Sequence, residues 1–236
     1  QTPIAEGRLR TTYGYSGKIA LLPNAISVDS LAGDGSQGKP VPLENANNVL
    51  KLFCLTRYYS HKNLEVIIDM FDRFRQELRN VLVILTISAD DHPNAERLLQ
   101  CIADLKLASN ILNVGPLKQQ ELAGYYQHCD ALFLPTLLES FSGAYLEAMQ
   151  FGRPILTSDL DFARYICGDA AMYFDPWNVC HMKDVILGFK SKPECAARMI
   201  EQGTQMIRHT YQRWDDVALQ MNKEMRDIVA ASKQRN

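Results

Sequence analysis

Several absences narrow the reading of this 236-residue chain. There is no surplus of positive charge: 25 Lys and Arg stand against 27 Asp and Glu, a formal net charge of −2. A nucleic-acid backbone would meet no general basic face here, so any phosphate site must be local. The six cysteines, at 54, 101, 129, 167, 180 and 195, include no C-x-x-C pair and no zinc-ligand spacing, and the five histidines do not cluster with them. Several fall in apolar or helix-like segments, the pattern of buried reduced thiols in a cytosolic protein and not of a disulfide framework. No apolar run approaches the roughly 20 residues needed to cross a bilayer, and no signal peptide stands out. The chain opens Gln-Thr-Pro without a methionine, as expected of a fragment, a processed protein or a trimmed chain.

What the chain does have is 47 % hydrophobic residues, enough for one substantial core. KIALL (18–22) ends at Pro23-Asn24 and reads as a buried strand followed by a turn. The stretch 30–48, rich in Gly, Ser, Pro and Asn, reads as a surface loop. Beyond it, strand-like and helix-like segments alternate. Strands are expected at 49–56, 81–87, 110–115, 131–135, 154–158 and 171–175, and helices at 63–78, 93–107, 118–129 and 142–151. Two or three further helices are expected between 179 and about 232. The strands are near-continuous apolar runs, which indicates burial on both faces and hence a parallel sheet covered by helices. The expected fold is a doubly wound α/β domain.

In such a sheet, ligands bind outside the carboxyl ends of the strands. Two of the loops there carry chemistry that fits together. In TRYYSHKN, Arg57 and Lys62 follow the strand at 49–56, and a guanidinium fork with an ammonium can clamp a diphosphate. Asn63 is expected to open the next helix. In TLLESFSGAYLEAM, a helix is expected to start near Ser142 or Gly143, with the N–H groups of Phe141, Ser142 and Gly143 forming an anion nest. Glu139 lies ahead of that start and Glu147 about one turn inside it. Carboxylates accept hydrogen bonds from vicinal hydroxyls, so a ligand carrying phosphate and sugar together is indicated. The plain alternative is that these charges are solvated and favour the helix dipole. Asp90, Asp91 and His92 read as a polar loop before a helix start at Asn94, and Tyr58, Tyr59, Tyr125 and Tyr126 as packing or rim residues.

Glu139 and Glu147 form an E-x7-E pair, and the stretch resembles the retaining glycosyltransferases of family 4, also called group 1, which have the two-domain GT-B fold. KIALLPNAIS is similar to the opening of that family's second domain. FCLTRYYSHKNLEVIIDMF is similar to its phosphate-binding segment, and the segment from Asn113 through LLESFSGAYLEAMQFGRPILTSD to its core. GDAAMYFDPWN and the tail around Trp214 also fit. The resemblance departs at three places: Thr56 stands where the family usually has glycine, TISADD lacks the usual glycine, and LDFARYICGD replaces a Gly-Gly stretch with its later glutamate.

The resemblance implies a Rossmann-like domain, the C-terminal half of a GT-B enzyme. By it, residues 1–17 connect from an N-terminal acceptor domain, 18–210 bind the nucleotide-sugar donor, and 211–236 carry a C-terminal helix that crosses back. It implies that Arg57 and Lys62 bind and stabilise the leaving diphosphate and that Glu139 holds donor-sugar hydroxyls. The backbone at Phe141, Ser142 and Gly143 then contacts sugar or distal phosphate, and Glu147 accepts from ribose. Val114 and Gly115 lie near the base. It implies no metal and no cofactor beyond the nucleoside diphosphate sugar substrate. An acceptor sugar or lipid-linked glycan is expected through the other domain, in polysaccharide or lipopolysaccharide synthesis at the cytoplasmic face of a membrane. Alternatives are a GT-B sugar-nucleotide epimerase, a non-catalytic nucleotide-binding α/β module, and a glycosidase using the two glutamates, which leaves Arg57 and Lys62 without a role.

Overall fold

The computed structural model describes residues 2–25, 40, 48–209 and 211–233. The loop expected at 30–48 therefore lies outside the described residues, apart from positions 40 and 48. Six strands form one parallel sheet: β1 (Leu50–Cys54), β2 (Val81–Leu85), β3 (Ile111–Asn113), β4 (Ala131–Leu134), β5 (Ile155–Ser158) and β6 (Ala171–Phe174). Their order is β3-β2-β1-β4-β5-β6, with Leu50 opposite Val81, Leu52 opposite Ala131 and Ile155 opposite Ala171. Every residue of β2, β4 and β5 is buried, which is why these strands read as unbroken apolar runs.

Helices connect the strands: α2 (Glu65–Arg73), α3 (Pro93–Asp104), α4 (Gln119–His128), α5 (Gly143–Gln150) and α6 (Asp161–Cys167). Three more follow β6: α7 (Val179–Ser191), α8 (Pro193–His209) and α9 (Trp214–Lys233). The chain steps outward from β1 to β3, then returns to β4 and steps outward the other way. With right-handed crossovers, that reversal puts α2 and α3 on one face and α5 and α6 on the other. α7 returns to pack on α2, and α8 covers α5. The reversal also makes a switch point between β1 and β4, where the sheet opens a crevice at its carboxyl edge.

Three local expectations are corrected. No strand forms at 18–22; these residues lie along α9, where the Leu21 carbonyl accepts from Gln220 Nε2 at 3.2 Å and Lys18 pairs with Glu224 at 3.7 Å. A five-residue apolar run can cover its surface against a helix as well as in a sheet, and periodicity alone does not separate the two. Asn63 does not begin α2. It sits in the left-handed conformation, φ 57°, at the end of a short 3-10 turn (Ser60–Lys62), and α2 starts two residues later. α2 also ends at Arg73 and not near 78, with turns following Phe74.

Residues 3–13 form a helix, α1 (Pro3–Tyr13), within the segment expected to be a connection. Its signals are ordinary ones: Thr2 caps it by accepting from the Ala5 N–H at 3.2 Å, Pro3 opens it, and Gly14 ends it at φ 63°. All six cysteines are free thiols; Cys54, Cys129 and Cys167 are buried, and Cys180 is exposed.

Candidate active site

The two loops singled out in the sequence meet at the switch point. Lys62, in the turn after β1, donates through Nζ to Glu139 Oε1 in the loop after β4. Both side chains are largely shielded, at 16 % and 12 % exposed. Main-chain contacts lace the two loops together around this pair. The His61 carbonyl accepts from the Leu137 N–H at 2.7 Å and from Thr136 Oγ1 at 3.2 Å. Asn63 Nδ2 donates to the carbonyls of Pro135 at 3.2 Å and Pro176 at 3.0 Å. The left-handed turn at Asn63 thus serves as a clamp, aiming its amide across the crevice.

Ser142 is the residue before α5 and is buried, and Gly143 opens the helix and is exposed. A Cβ built on Gly143 would meet nothing within 4 Å, so open space lies before the helix start. The first N–H groups of α5 have no partner within the helix, and its dipole favours an anion there. Phe141 is half-buried, its ring edge-on to Tyr211 at 6.3 Å.

Glu147 lies one turn inside α5 and accepts from the Tyr126 hydroxyl of α4 at 2.9 Å. Burial pushes its carboxyl above the ordinary value, and the hydrogen bond from Tyr126 offsets part of that rise. Tyr126 is itself buried, as a packing residue should be; its role as the partner of Glu147 was not legible from the sequence. Val114 and Gly115 follow β3, next to α4. The Val114 N–H extends the ladder to the Leu85 carbonyl at 2.9 Å, and Gly115 turns the chain at φ 76° with open space at its Cβ position.

Arg57 is placed differently from Lys62. It is 73 % exposed and pairs through Nε with Asp91 Oδ1 at 3.3 Å, in the loop after β2. The sequence pattern alone makes Asp91 part of a polar loop. The available signal was topological: β1 and β2 are neighbours, so the loops that follow them face each other. His92, in turn, caps α3 by accepting from the Asn94 N–H at 3.1 Å.

Beside the Lys62–Glu139 pair lies a cavity of about 410 Å³, walled by Arg8, Leu9 and Tyr13 of α1 and by His61, Leu138 and Glu139. α1 is tied to this edge by Thr2 Oγ1, which donates to the Ser140 carbonyl at 3.3 Å, and by Arg8, which pairs with Asp161 at 2.5 Å. Residues 159–161 spell Asp-Leu-Asp, but Asp159 is bound on both oxygens by Arg164, at 2.6 and 2.9 Å, and Asp161 by Arg8. Among the described residues no three His, Cys, Asp or Glu side chains gather as metal ligands. A second cavity, about 460 Å³ between α2 and α3, lies in the helix layer with a floor of Ile68, Leu98 and Leu105.

The strand order 3-2-1-4-5-6, with a crevice at the β1/β4 switch point, a cation after one strand and carboxylates around a helix start after the other, defines a doubly wound, Rossmann-like α/β domain. The family model described as "Glycosyl transferases group 1" matches residues 39–206, and the chain belongs to that family.

Among solved structures, the fold is similar to that of a sucrose-phosphate synthase from Thermosynechococcus elongatus. The TM-score is 0.78 at 20 % identity, over 98 % of this chain and 58 % of that one. A glycosyltransferase from Rickettsia africae matches with TM-score 0.75 and 17 % identity, over 94 % and 60 % of the two chains. Anabaena HepE, solved in complex with UDP, matches with TM-score 0.63 and 14 % identity, over 98 % and 54 %. The chain thus spans between half and two thirds of the length of the structures it matches. Among the described residues, no helix is long and apolar enough to cross a membrane.

Proposed function

We propose that this chain is the donor-binding half of a retaining glycosyltransferase that moves a sugar from a nucleoside diphosphate sugar to an acceptor glycan, in polysaccharide or lipopolysaccharide synthesis at the cytoplasmic face of a membrane. The observation that carries the reading is the meeting of Lys62 and Glu139 at the switch point, beside the open N-terminus of α5. A diphosphate seated there faces the Lys62 ammonium, the Arg57 guanidinium and the first N–H groups of α5. As the bond from the anomeric carbon to the phosphate oxygen breaks, its electron pair goes to that oxygen. These fixed positive groups stabilise the growing charge without metal or cofactor. The acceptor hydroxyl bonds to the anomeric carbon on the same face and gives its proton to the departing phosphate. Glu139 accepts from donor-sugar hydroxyls while neutralising Lys62. Glu147 accepts from the ribose, and Val114 and Gly115 border the base.

The test is calorimetric titration of the chain with UDP, GDP and ADP across pH. One nucleotide is expected to bind, with affinity rising as pH climbs through the elevated pKa of Glu147, because only the carboxylate form accepts two ribose hydroxyls. Glu147→Gln is expected to bind more weakly and without that pH dependence. Failure of all three nucleotides to bind would sink the donor-site reading.

The remaining half of such an enzyme would cover α9. Met221, Met225 and Ile228 are exposed along one side of this helix, while Val217 and Gln220 face the domain. An exposed apolar stripe at that spacing is expected to bury against the acceptor domain. Amide exchange in 214–233 is expected to slow when that domain is joined to the chain. Unchanged exchange would count against the arrangement.

A further inference from the structure

We propose that Asp91 is a positioning residue that aims the Arg57 guanidinium at the diphosphate, a role that rests on the donor-site reading above. The loops after β1 and β2 are stitched together just before these residues. Thr86 Oγ1 accepts from the Thr56 N–H at 3.0 Å and donates to the Thr56 carbonyl at 2.9 Å. Asp91 completes the seam. Its Oδ2 accepts from the backbone N–H groups of both Tyr58 and Ser88, each at 3.1 Å, and its Oδ1 lies 3.3 Å from Arg57 Nε. The Tyr58 ring is buried and stacks on His92, with centroids 5.5 Å apart, so both neighbours of the contact are anchored.

The asymmetry of the pair decides which partner directs the other. Asp91 is 6 % exposed and fixed by three donors on two loops, whereas Arg57 is 73 % exposed and otherwise free to sweep through its rotamers. Its closest approach uses Nε on one edge of the guanidinium, leaving the Nη pair for a bidentate contact with phosphate oxygens. A free carboxylate beside a diphosphate site would repel the ligand. Here Oδ2 is saturated by backbone donors and Oδ1 is matched by Arg57. Burial pushes the Asp91 carboxyl up, but donation from Tyr58 and Ser88 and the charge of Arg57 outweigh it and hold the group below its usual range. The TISADD loop, one departure from the family's glycines, supplies both the Thr86 hydroxyl and the Asp91 carboxylate of this seam, whereas Thr56 enters it through its backbone alone.

Asp91→Asn separates the positioning role from the structural one. An asparagine keeps one oxygen for the Tyr58 and Ser88 N–H groups but turns an NH2 toward Arg57, donor against donor. Affinities for UDP, GDP and ADP, and for the matching nucleosides, would be measured by calorimetry on wild type, Asp91→Asn, Arg57→Ala and the double variant. For the nucleotide that binds, Asp91→Asn is expected to lose about tenfold in affinity, the scale of one charge-assisted contact. The nucleoside should bind unchanged. The double variant is expected to bind no more weakly than Arg57→Ala, because Asp91 acts only through Arg57. Wild-type affinity in Asp91→Asn, or additive losses in the double variant, would overturn the proposal while leaving the donor site standing. Absence of nucleotide binding by the wild type would overturn both. Should a melting curve show that Asp91→Asn does not fold, Arg57→Lys decides. A lysine carries all its donors on one terminal nitrogen and lacks the fork that spans from Asp91 at Nε to phosphate oxygens at the Nη pair, so a loss matching Arg57→Ala supports the proposal and wild-type affinity overturns it.

Discussion

Lys62→Ala is expected to weaken nucleoside diphosphate binding by roughly 10- to 100-fold, the worth of a charge-assisted contact of about 1.5–3 kcal/mol in a shielded site. Joined to its acceptor domain, the enzyme should lose more in turnover, about 10²–10³-fold, because the ammonium meets most charge when the diphosphate is leaving. The fall in kcat should therefore exceed any rise in KM for the donor. Stability should suffer too. Removing Lys62 leaves the Glu139 carboxylate, only 12 % exposed, without its main partner, at a cost of about 1–3 kcal/mol. A second substitution sorts the two effects. Lys62→Ala combined with Glu139→Ala removes both charges and should recover part of the stability without recovering nucleotide affinity. Melting curves and nucleotide titrations on the same three proteins check this. Full nucleotide affinity in Lys62→Ala would remove the ammonium from the proposed site.

The sequence carried this site further than it carried its details, for a physical reason. Parallel strands buried on both faces announce themselves as apolar runs, and once their order is known the loops at their carboxyl ends share an edge. That much put Lys62 near Glu139. The partner choices were not legible, because they depend on which side of the sheet each loop leans. Arg57 turns toward β2 and meets Asp91, whereas Lys62 turns toward β4 and meets Glu139. Both had the same reading, as basic residues in one loop. Asn63 was assigned to a helix by its position, but its αL backbone and two side-chain donations to Pro135 and Pro176 come from the far side of the crevice, which local pattern does not contain. KIALL failed differently. Its apolar character was read correctly and its destination was not, since α9, nearly two hundred residues later, provides the surface it lies on. α1 had its signals in plain view at Thr2, Pro3 and Gly14, in a segment assigned to a connection.

Phe133→Ala should be the most destabilising single change in the sheet, by about 3–5 kcal/mol. Phe133 is wholly buried in β4, opposite Leu156 of β5, with its ring 5.4 Å from that of Phe174 in β6. Truncation removes most of a large apolar side chain and leaves a void that close-packed neighbours cannot collapse to fill. For a domain of this length that should lower the melting temperature by roughly 10 °C or more. Leu219→Ala, at an exposed position on α9, is the matched control and should stay within about 0.5 kcal/mol of wild type. β4 is also the strand that delivers Glu139 to the switch point, so its integrity and the ligand's are coupled. A nucleotide that binds only the folded chain returns about 2.7 kcal/mol at a hundred times its Kd. Nucleotide at a hundred times the wild-type Kd should therefore recover much of the loss in Phe133→Ala, and no more than about half as much when Lys62→Ala is added. Undiminished recovery without Lys62 would mean that the ligand stabilises the domain from somewhere other than the β1/β4 crevice.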